Sequence, residues 1–101
     1  MKKNYFTDDE KILCASLVRN IHLSEEQTKE KYKKIQAYEN CRSIASIRLK
    51  CENYAWMINK LHPEIETNPH IKPLSGVSDS EKKLRLTDSE IVYCILSNPS
   101  I

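Results

Sequence analysis

Glycine is almost absent from this chain, which has Gly76 as its only glycine in 101 residues. A phosphate-binding loop needs several glycines in one short segment, because its backbone amides must approach the phosphate closely. A nucleotide-hydrolysing function of the P-loop type is therefore excluded. The low glycine content, together with four prolines, also favours a helix-rich domain over a disordered or all-β chain. We expect an all-α protein.

Long apolar runs are also missing. No segment approaches the roughly 18 apolar residues of a membrane-spanning helix, and the lysines at the amino terminus are not followed by the apolar stretch of a secretion signal. A chain of 101 residues has the length of one modest domain. We expect a cytoplasmic protein with no membrane partner, organised as a single domain over residues 1–101.

Residue patterns that support catalysis or metal binding are absent too. The cysteines have no C-x-x-C spacing, so we expect buried, reduced thiols and no zinc site; they are Cys14, Cys41, Cys51 and Cys94. The acidic run Asp8, Asp9 and Glu10 begins a helix, where negative charge is favourable, whereas a nuclease holds such residues on paired strands. We predict no catalytic residue, no metal and no cofactor, and hence no enzyme activity.

One helix-start signal occurs four times: a Ser or Thr followed three residues later by Glu or Gln, the capping box. It occurs at Thr7, Ser24, Ser78 and Thr87. With the apolar periodicity, it predicts helices over about 8–20 and 25–37, a short polar helix after Ser78 and a final helix after Thr87. Ser43 can cap a third long helix that runs to about Leu61, where His62-Pro63 stops it.

These elements predict a tri-helical core over residues 5–62, an extended connection over 63–76 and a helical carboxy-terminal extension over 77–101. The connection contains three of the four prolines and the glycine. The apolar residues of the last helix need a partner, so we expect it to pack back onto the first three helices. Three helices with a short turn between the second and the third are the minimal helix-turn-helix or Myb-like arrangement.

The stretch from Arg42 to Asn53 carries most of the functional information. At about 100° per residue, one polar arc contains Arg42, Ser46, Lys50 and Asn53. The opposite arc is apolar and predicted to be buried; it contains Ile44, Ile47, Cys51, Tyr54, Ala55 and Ile58. A helix of this kind can be anchored in a core while its basic, amide-bearing edge meets a nucleic acid.

In this helix-turn-helix interpretation the third helix is the DNA reader. Asn53 would contact adenine, Arg42 and Lys50 would contact guanine or phosphate, and Ser46 would meet a phosphate or a base edge. Additional phosphate contacts would come from Lys29, Lys33 and Lys34. Because the net charge is only +2, any basic surface must be local.

The segment Arg42-Ser43-x-x-Ser46-Ile47-Arg48-x-Lys50-x-x-Asn53 resembles a motif of small helical domains at the amino end of prokaryotic HNH-type restriction endonucleases and related mobile-element proteins. The resemblance covers about residues 5–62. It implies a DNA-binding accessory domain, with target binding by Ser46, Lys50 and Asn53 in particular and with Ser43 as part of the motif. The 101 residues do not include the nuclease that usually follows in that family. The resemblance therefore implies a small regulator or accessory protein of phage or mobile-element origin that binds double-stranded DNA.

Other interpretations of the same helix remain open. The polar arc could be only a solvated face, with Arg48 and Glu52 forming a surface ion pair at i and i+4. Leu49 and Trp56 lie on a third side of the helix and could contact a protein partner, or the carboxy-terminal helix could cover them. The alternative function is a protein-interaction module that binds and inhibits or adapts a larger nucleic-acid-processing enzyme. A homodimer is a further candidate, because a second half-site would add affinity to one small reading helix.

Overall fold

A computed structural model of the protein describes residues 6–38, 43–84 and 86–97, and within these ranges it contains five α-helices and no strand. The expected all-α class is therefore confirmed for this part of the chain. The helices are α1 (Asp8–Arg19), α2 (Glu25–Tyr38), α3 (Ile44–Leu61), α4 (Asp79–Leu84) and α5 (Asp88–Leu96). The break that the sequence predicts at Glu39, Asn40 and Cys41 lies outside the described residues, as does Arg42.

The predicted capping residues begin the helices. In α5, the Thr87 hydroxyl accepts a hydrogen bond from the Glu90 amide at 3.3 Å, and a Glu90 carboxylate oxygen accepts one from the Thr87 amide at 3.2 Å. Thr7 begins α1 and Ser24 begins α2 with the same reciprocal pair. Ser43 caps α3 by accepting from the Ser46 amide at 3.1 Å. The capping residues read from the sequence therefore mark these four helix starts correctly.

The core lies between α1, α2, α3 and α5. The first three helices contact one another, and α5 packs against both α1 and α3, which confirms that the last helix returns to the others. α5 therefore forms part of this core. The residues that are at most 5% exposed and form this cluster include Leu17, Val18, Tyr32, Ile35, Ile47, Tyr54, Met57 and Ile58.

Three cysteines lie inside this core, each on a different helix. Cys14 of α1, Cys51 of α3 and Cys94 of α5 are 0% exposed and form no disulfide, as the sequence predicts; Cys41 is outside the described residues. Burial raises the pKa of the Cys94 thiol to about 12 and also raises the pKa of Cys51. Because a thiol of raised pKa stays protonated, these side chains act as small apolar residues.

The segment between α3 and α4 contains no helix but lies tightly against the core. Asn68 is fully buried and donates its backbone N–H to the Val18 carbonyl of α1 at 2.7 Å. Its side-chain amide donates to the Thr28 hydroxyl of α2 at 3.0 Å. Farther along, the Leu74 amide donates to the Glu52 carbonyl of α3 at 3.0 Å. The segment therefore crosses the outer surface of α3 before α4 begins.

Among the described residues, no helix is both long enough and apolar enough to cross a membrane.

The carboxy-terminal end of α5 is closed by a side chain of α1. α5 has no basic residue in its own last turn, and Arg19 Nη1 donates to the Cys94 and Ile95 carbonyls, both at 2.8 Å. A cation at this end of a helix satisfies unpaired carbonyls and is favoured by the helix dipole. Arg19 therefore links the amino-terminal helix to the last one.

We expect Arg19→Ala to lower the free energy of unfolding by about 2 kcal/mol, because two charge-assisted hydrogen bonds to carbonyls are lost. Urea denaturation followed by circular dichroism measures this change. Arg48→Ala is the matched control, since Arg48 is exposed, and it should change stability by less than about 0.5 kcal/mol. Equal stability of the two variants would show that Arg19 does not cap α5.

Candidate nucleic-acid interface

Lys50 is not on the exposed polar arc that helical periodicity predicts. Its ammonium lies 3.1 Å from Glu90 Oε2 of α5, and its side chain is only 18% exposed. The same nitrogen lies over two aromatic rings, 5.2 Å from the Phe6 centroid and 5.7 Å from the Tyr54 centroid. The prediction that Lys50 projects from an exposed polar arc is therefore wrong, because its charge is already paired within the chain.

The Glu90 carboxylate is the centre of a buried network between α3 and α5. Its Oε1 accepts from the amide and the hydroxyl of Thr87, both at 3.2 Å. Its Oε2 accepts from the Tyr54 hydroxyl at 2.6 Å and from Lys50 at 3.1 Å. Burial opposes ionisation of this carboxyl, but the hydrogen bond from Tyr54 and the charge of Lys50 outweigh it and hold the pKa of Glu90 below its usual value. Glu90 is therefore an ionised, fully engaged structural group.

Asn53 is also directed inward. It is 4% exposed, and its Nδ2 donates to the Lys82 carbonyl of α4 at 3.4 Å. Its Oδ1 is buried without a hydrogen-bond partner. The prediction that Asn53 reads adenine from an exposed edge is corrected for a physical reason, because α4 crosses α3 at this position and covers the amide.

The sequence places Leu49 and Trp56 on the same side of α3, but α4 separates the two side chains. Leu49 is 44% exposed and lines a shallow pocket of about 190 Å³ together with Phe6. Trp56 packs against the core and has the Lys82 ammonium 5.4 Å from its ring centroid. α4 therefore partly covers Trp56, and the two side chains belong to different surfaces.

The amino-terminal half of α3 remains open to solvent. We use the name amino-terminal face of α3 for its exposed residues, which are Ser43, Ala45, Ser46, Arg48 and Leu49. The Ser43 and Ser46 hydroxyl oxygens lie 2.9 Å apart, so two neutral hydroxyls stand together at the helix start. Of the predicted DNA-contacting residues in this region, Ser43 and Ser46 are exposed, Lys50 and Asn53 are not, and Arg42 lies outside the described residues.

Arg48 is the charged residue of this face, and the sequence did not assign it to DNA. The expected ion pair with Glu52 is not formed, and Arg48 makes no salt bridge with another described residue. Arg48 lies on the side of α3 that faces α2, because its charge acts on Tyr32 of α2. Burial raises the pKa of the Tyr32 hydroxyl, and the positive charge of Arg48 opposes this rise. The sequence motif of residues 42–53 includes Arg48, but its i, i+4 spacing to Glu52 predicted a salt bridge within the helix.

The charge at the start of α3 also differs from that of the other helices. α1, α2, α4 and α5 each have Asp or Glu in their first turn, whereas α3 has none. Acidic residues in the first turn would repel a phosphate, while the free amides and the helix dipole attract it. The start of α3 is therefore electrostatically compatible with a polyanion.

The three lysines predicted to contact phosphate lie on the solvent side of α2. Lys29 pairs with Glu25 at 3.7 Å, with both side chains more than two-thirds exposed, so the pair is weak and a phosphate could replace its acidic partner. Lys33 and Lys34 are exposed and make no salt bridge with another described residue. α2 contacts α3 directly, which places this charge on the neighbouring helix.

Comparison with known proteins adds no relative: no family model, no curated protein and no solved structure matches this chain. In the described part of the chain, no group of three or more His, Cys, Asp or Glu side chains is arranged to hold a metal ion. The function must therefore be inferred from the surfaces themselves.

We expect Glu90→Gln to lower the free energy of unfolding at pH 7 by about 2 kcal/mol, because Lys50 would lose its anionic partner in a mostly buried site. Since the pKa of Glu90 is lowered in the folded protein, its contribution is present above the unfolded pKa of about 4.3 and is lost as the pH falls through the folded value. Urea denaturation between pH 7 and pH 2.5 should therefore show a smaller acid-induced loss in the variant.

Asp8→Asn is the matched control, because Asp8 is an exposed carboxylate in the first turn of α1, which is also capped by a threonine. It should retain the acid-induced loss of wild type. Identical pH profiles for Glu90→Gln and wild type would contradict the assignment of Glu90 as a buried ionised group.

Proposed function

We propose that the protein is a small regulator or accessory protein that binds duplex DNA through the amino-terminal face of α3. The observation that carries the proposal is an exposed half-helix with two hydroxyls, an arginine that forms no salt bridge with another described residue, and no acidic residue in its first turn. An α-helix fits the major groove of B-DNA, and the amino-terminal part of a recognition helix is the part that meets the base edges.

The side chains of this face suit distinct parts of the groove. Arg48 can donate two parallel hydrogen bonds to guanine or to a phosphate. Ser43 and Ser46 can donate to phosphate oxygens or base edges, and Leu49 can contact a thymine methyl group. One arginine and two hydroxyls provide limited sequence discrimination, so phosphate contacts must supply much of the affinity.

The contacts between helices support a helix-turn-helix docking mode. α1, α2 and α3 contact one another, and in such a unit the third helix enters the groove while the helix before it crosses the backbone. Lys33 and Lys34 of α2 would then face phosphates. The proposed phage or mobile-element origin derives from the resemblance of residues 42–53 to accessory domains of HNH-type nucleases.

Lys50 and Asn53 have an indirect role in this proposal. Lys50 anchors α3 to α5 through Glu90, and Asn53 anchors α3 to α4 through the Lys82 carbonyl. A reading helix must be held rigidly to place its side chains in a groove, so these residues orient the face rather than contact DNA. Replacing them would mix a loss of stability with any loss of binding, which makes them unsuitable for testing the interface.

A protein-interaction module is the second candidate function. It is favoured by an almost wholly apolar cleft of about 250 Å³ between the carboxy-terminal half of α3, α4 and α5, lined in part by Trp56, Leu61 and Leu86. An apolar contact is weakly sensitive to salt, whereas DNA binding weakens steeply as salt is added.

We expect the protein to bind a mixed-sequence DNA duplex with an affinity that falls about 20-fold between about 50 and 150 mM salt, as three phosphate contacts would require. Arg48→Gln should weaken binding about 10-fold, because it removes the only arginine of the face. Fluorescence anisotropy of a labelled duplex across a salt series measures both effects.

Lys60→Gln is the matched control, because it removes one positive charge from the same helix about 18 Å farther along its axis. It should leave the affinity within a factor of two of wild type. Absence of binding at low salt, or an equal loss in both variants, would reject the amino-terminal face of α3 as the DNA-contacting surface.

A further inference from the structure

α4, α5 and the end of α3 form a second surface that the DNA-binding proposal does not use. The cleft between them is about 250 Å³ and is lined by apolar side chains that include Trp56, Met57, Leu86 and Ile91. On one edge, Lys60 of α3 pairs with Asp79 of α4 at 3.3 Å. Leu86 and Ile91 also line a contiguous pocket that extends along α5.

The outer side of α5 continues this apolar surface. Val92 is 48% exposed and Leu96 is 75% exposed, and at i and i+4 they lie on the same side of the helix. Leu61, which lines the cleft, is 46% exposed. Of the five large apolar side chains that are exposed in the described part of the chain, three therefore lie at this end of the molecule.

Two oppositely charged side chains also lie on this surface. Lys83 and Asp88 line the same pocket beside Leu86 and Ile91, and both are exposed. Neither makes a salt bridge with a described residue. The surface thus combines apolar side chains with one cation and one anion that form no salt bridge within the described residues, and these two charges cancel.

We infer that this surface is a symmetric dimer interface and that its occupant is a second copy of the same chain. In a two-fold interface, residue i of one copy meets residue j of the other, and residue j meets residue i. Lys83 of each copy then faces Asp88 of the other, while Val92 and Leu96 are removed from water. A surface with one charge of each sign is complementary to itself, whereas a nucleic acid or an acidic membrane would favour cations alone.

This inference does not rest on DNA binding, since it uses none of the residues of the amino-terminal face of α3. A dimer would nevertheless present two copies of that face. Two copies are what a helix-turn-helix protein uses to bind two half-sites.

A charge-swap experiment tests the inference with the full chain. Sedimentation equilibrium between about 5 and 500 µM should give a dimer with a dissociation constant in the micromolar range for wild type. Lys83→Glu and Asp88→Lys should each weaken the dimer at least about tenfold, because each places like charges opposite one another across the two-fold axis. The double variant restores both pairs in reversed order, so its dissociation constant should return to within about threefold of wild type.

Matched controls change the same charges elsewhere on the molecule. Lys33→Glu lies on the exposed side of α2, and Asp8→Lys, like Asp88→Lys, changes the first residue of a capped helix. Both should leave the dimer unchanged, and circular dichroism verifies that every variant keeps the wild-type helix content. A wild type that stays monomeric throughout the range, unaffected single variants, or a double variant that remains as weak as the singles would each overturn the inference.

Discussion

The arrangement of this protein depends on one buried carboxylate. Glu90 caps the start of its own helix, because one of its oxygens accepts hydrogen bonds from the Thr87 amide and hydroxyl. Its other oxygen accepts hydrogen bonds from Tyr54 and Lys50 of α3. A carboxylate that is 2% exposed must have such partners, because an unpaired buried charge is strongly unfavourable. This one group therefore fixes α5 against α3 and removes the charge of Lys50 from the surface.

Later parts of the chain cover the middle of α3, and this decides which of its side chains a partner can reach. The Leu74 backbone N–H donates to the Glu52 carbonyl, and the Asn53 side-chain amide donates to the Lys82 carbonyl. Around its middle, the outer side of α3 is thus a packing surface for the connection and α4. In the described part of the chain the amino-terminal face stays exposed, as do Asn59, Lys60 and Leu61 at the opposite end of α3. The helix thus combines an exposed first part that is suited to bind and a covered middle that holds it in place.

Local signals in the sequence predicted most of the helices. Capping residues such as Thr7 and Thr87 act on amides three residues away, so their effect can be predicted without knowledge of the fold. The inward side of α3 was predicted for the same reason, since Ile47, Cys51, Tyr54 and Ile58 recur at helical spacing and are all 0% exposed. The return of α5 to the core followed from its apolar content.

The candidate site was harder to predict because its geometry depends on distant residues. Helical periodicity places Lys50 and Asn53 on the polar side of α3, but their positions depend on Glu90, 40 residues later, and on Lys82, 29 residues later. No local pattern encodes such pairings. Glu90 satisfies the capping signature completely, so nothing in that signature indicates that its second oxygen reaches another helix. Arg48 was assigned to Glu52 by spacing alone, and the structure leaves it exposed.

In the proposed complex, DNA contacts the amino-terminal face of α3 and, through its phosphates, Lys33 and Lys34 of α2, but not α4 or α5. The most direct test is an NMR titration of the ¹⁵N-labelled protein with a short DNA duplex at low salt, in which each backbone amide reports its own surroundings. We expect the shift changes to concentrate at residues 43–49, with smaller changes near Lys33 and Lys34, while the amides of α4 and α5 stay unchanged. Shift changes confined to the cleft beside Trp56 and Ile91, or no changes at all, would contradict the proposed complex.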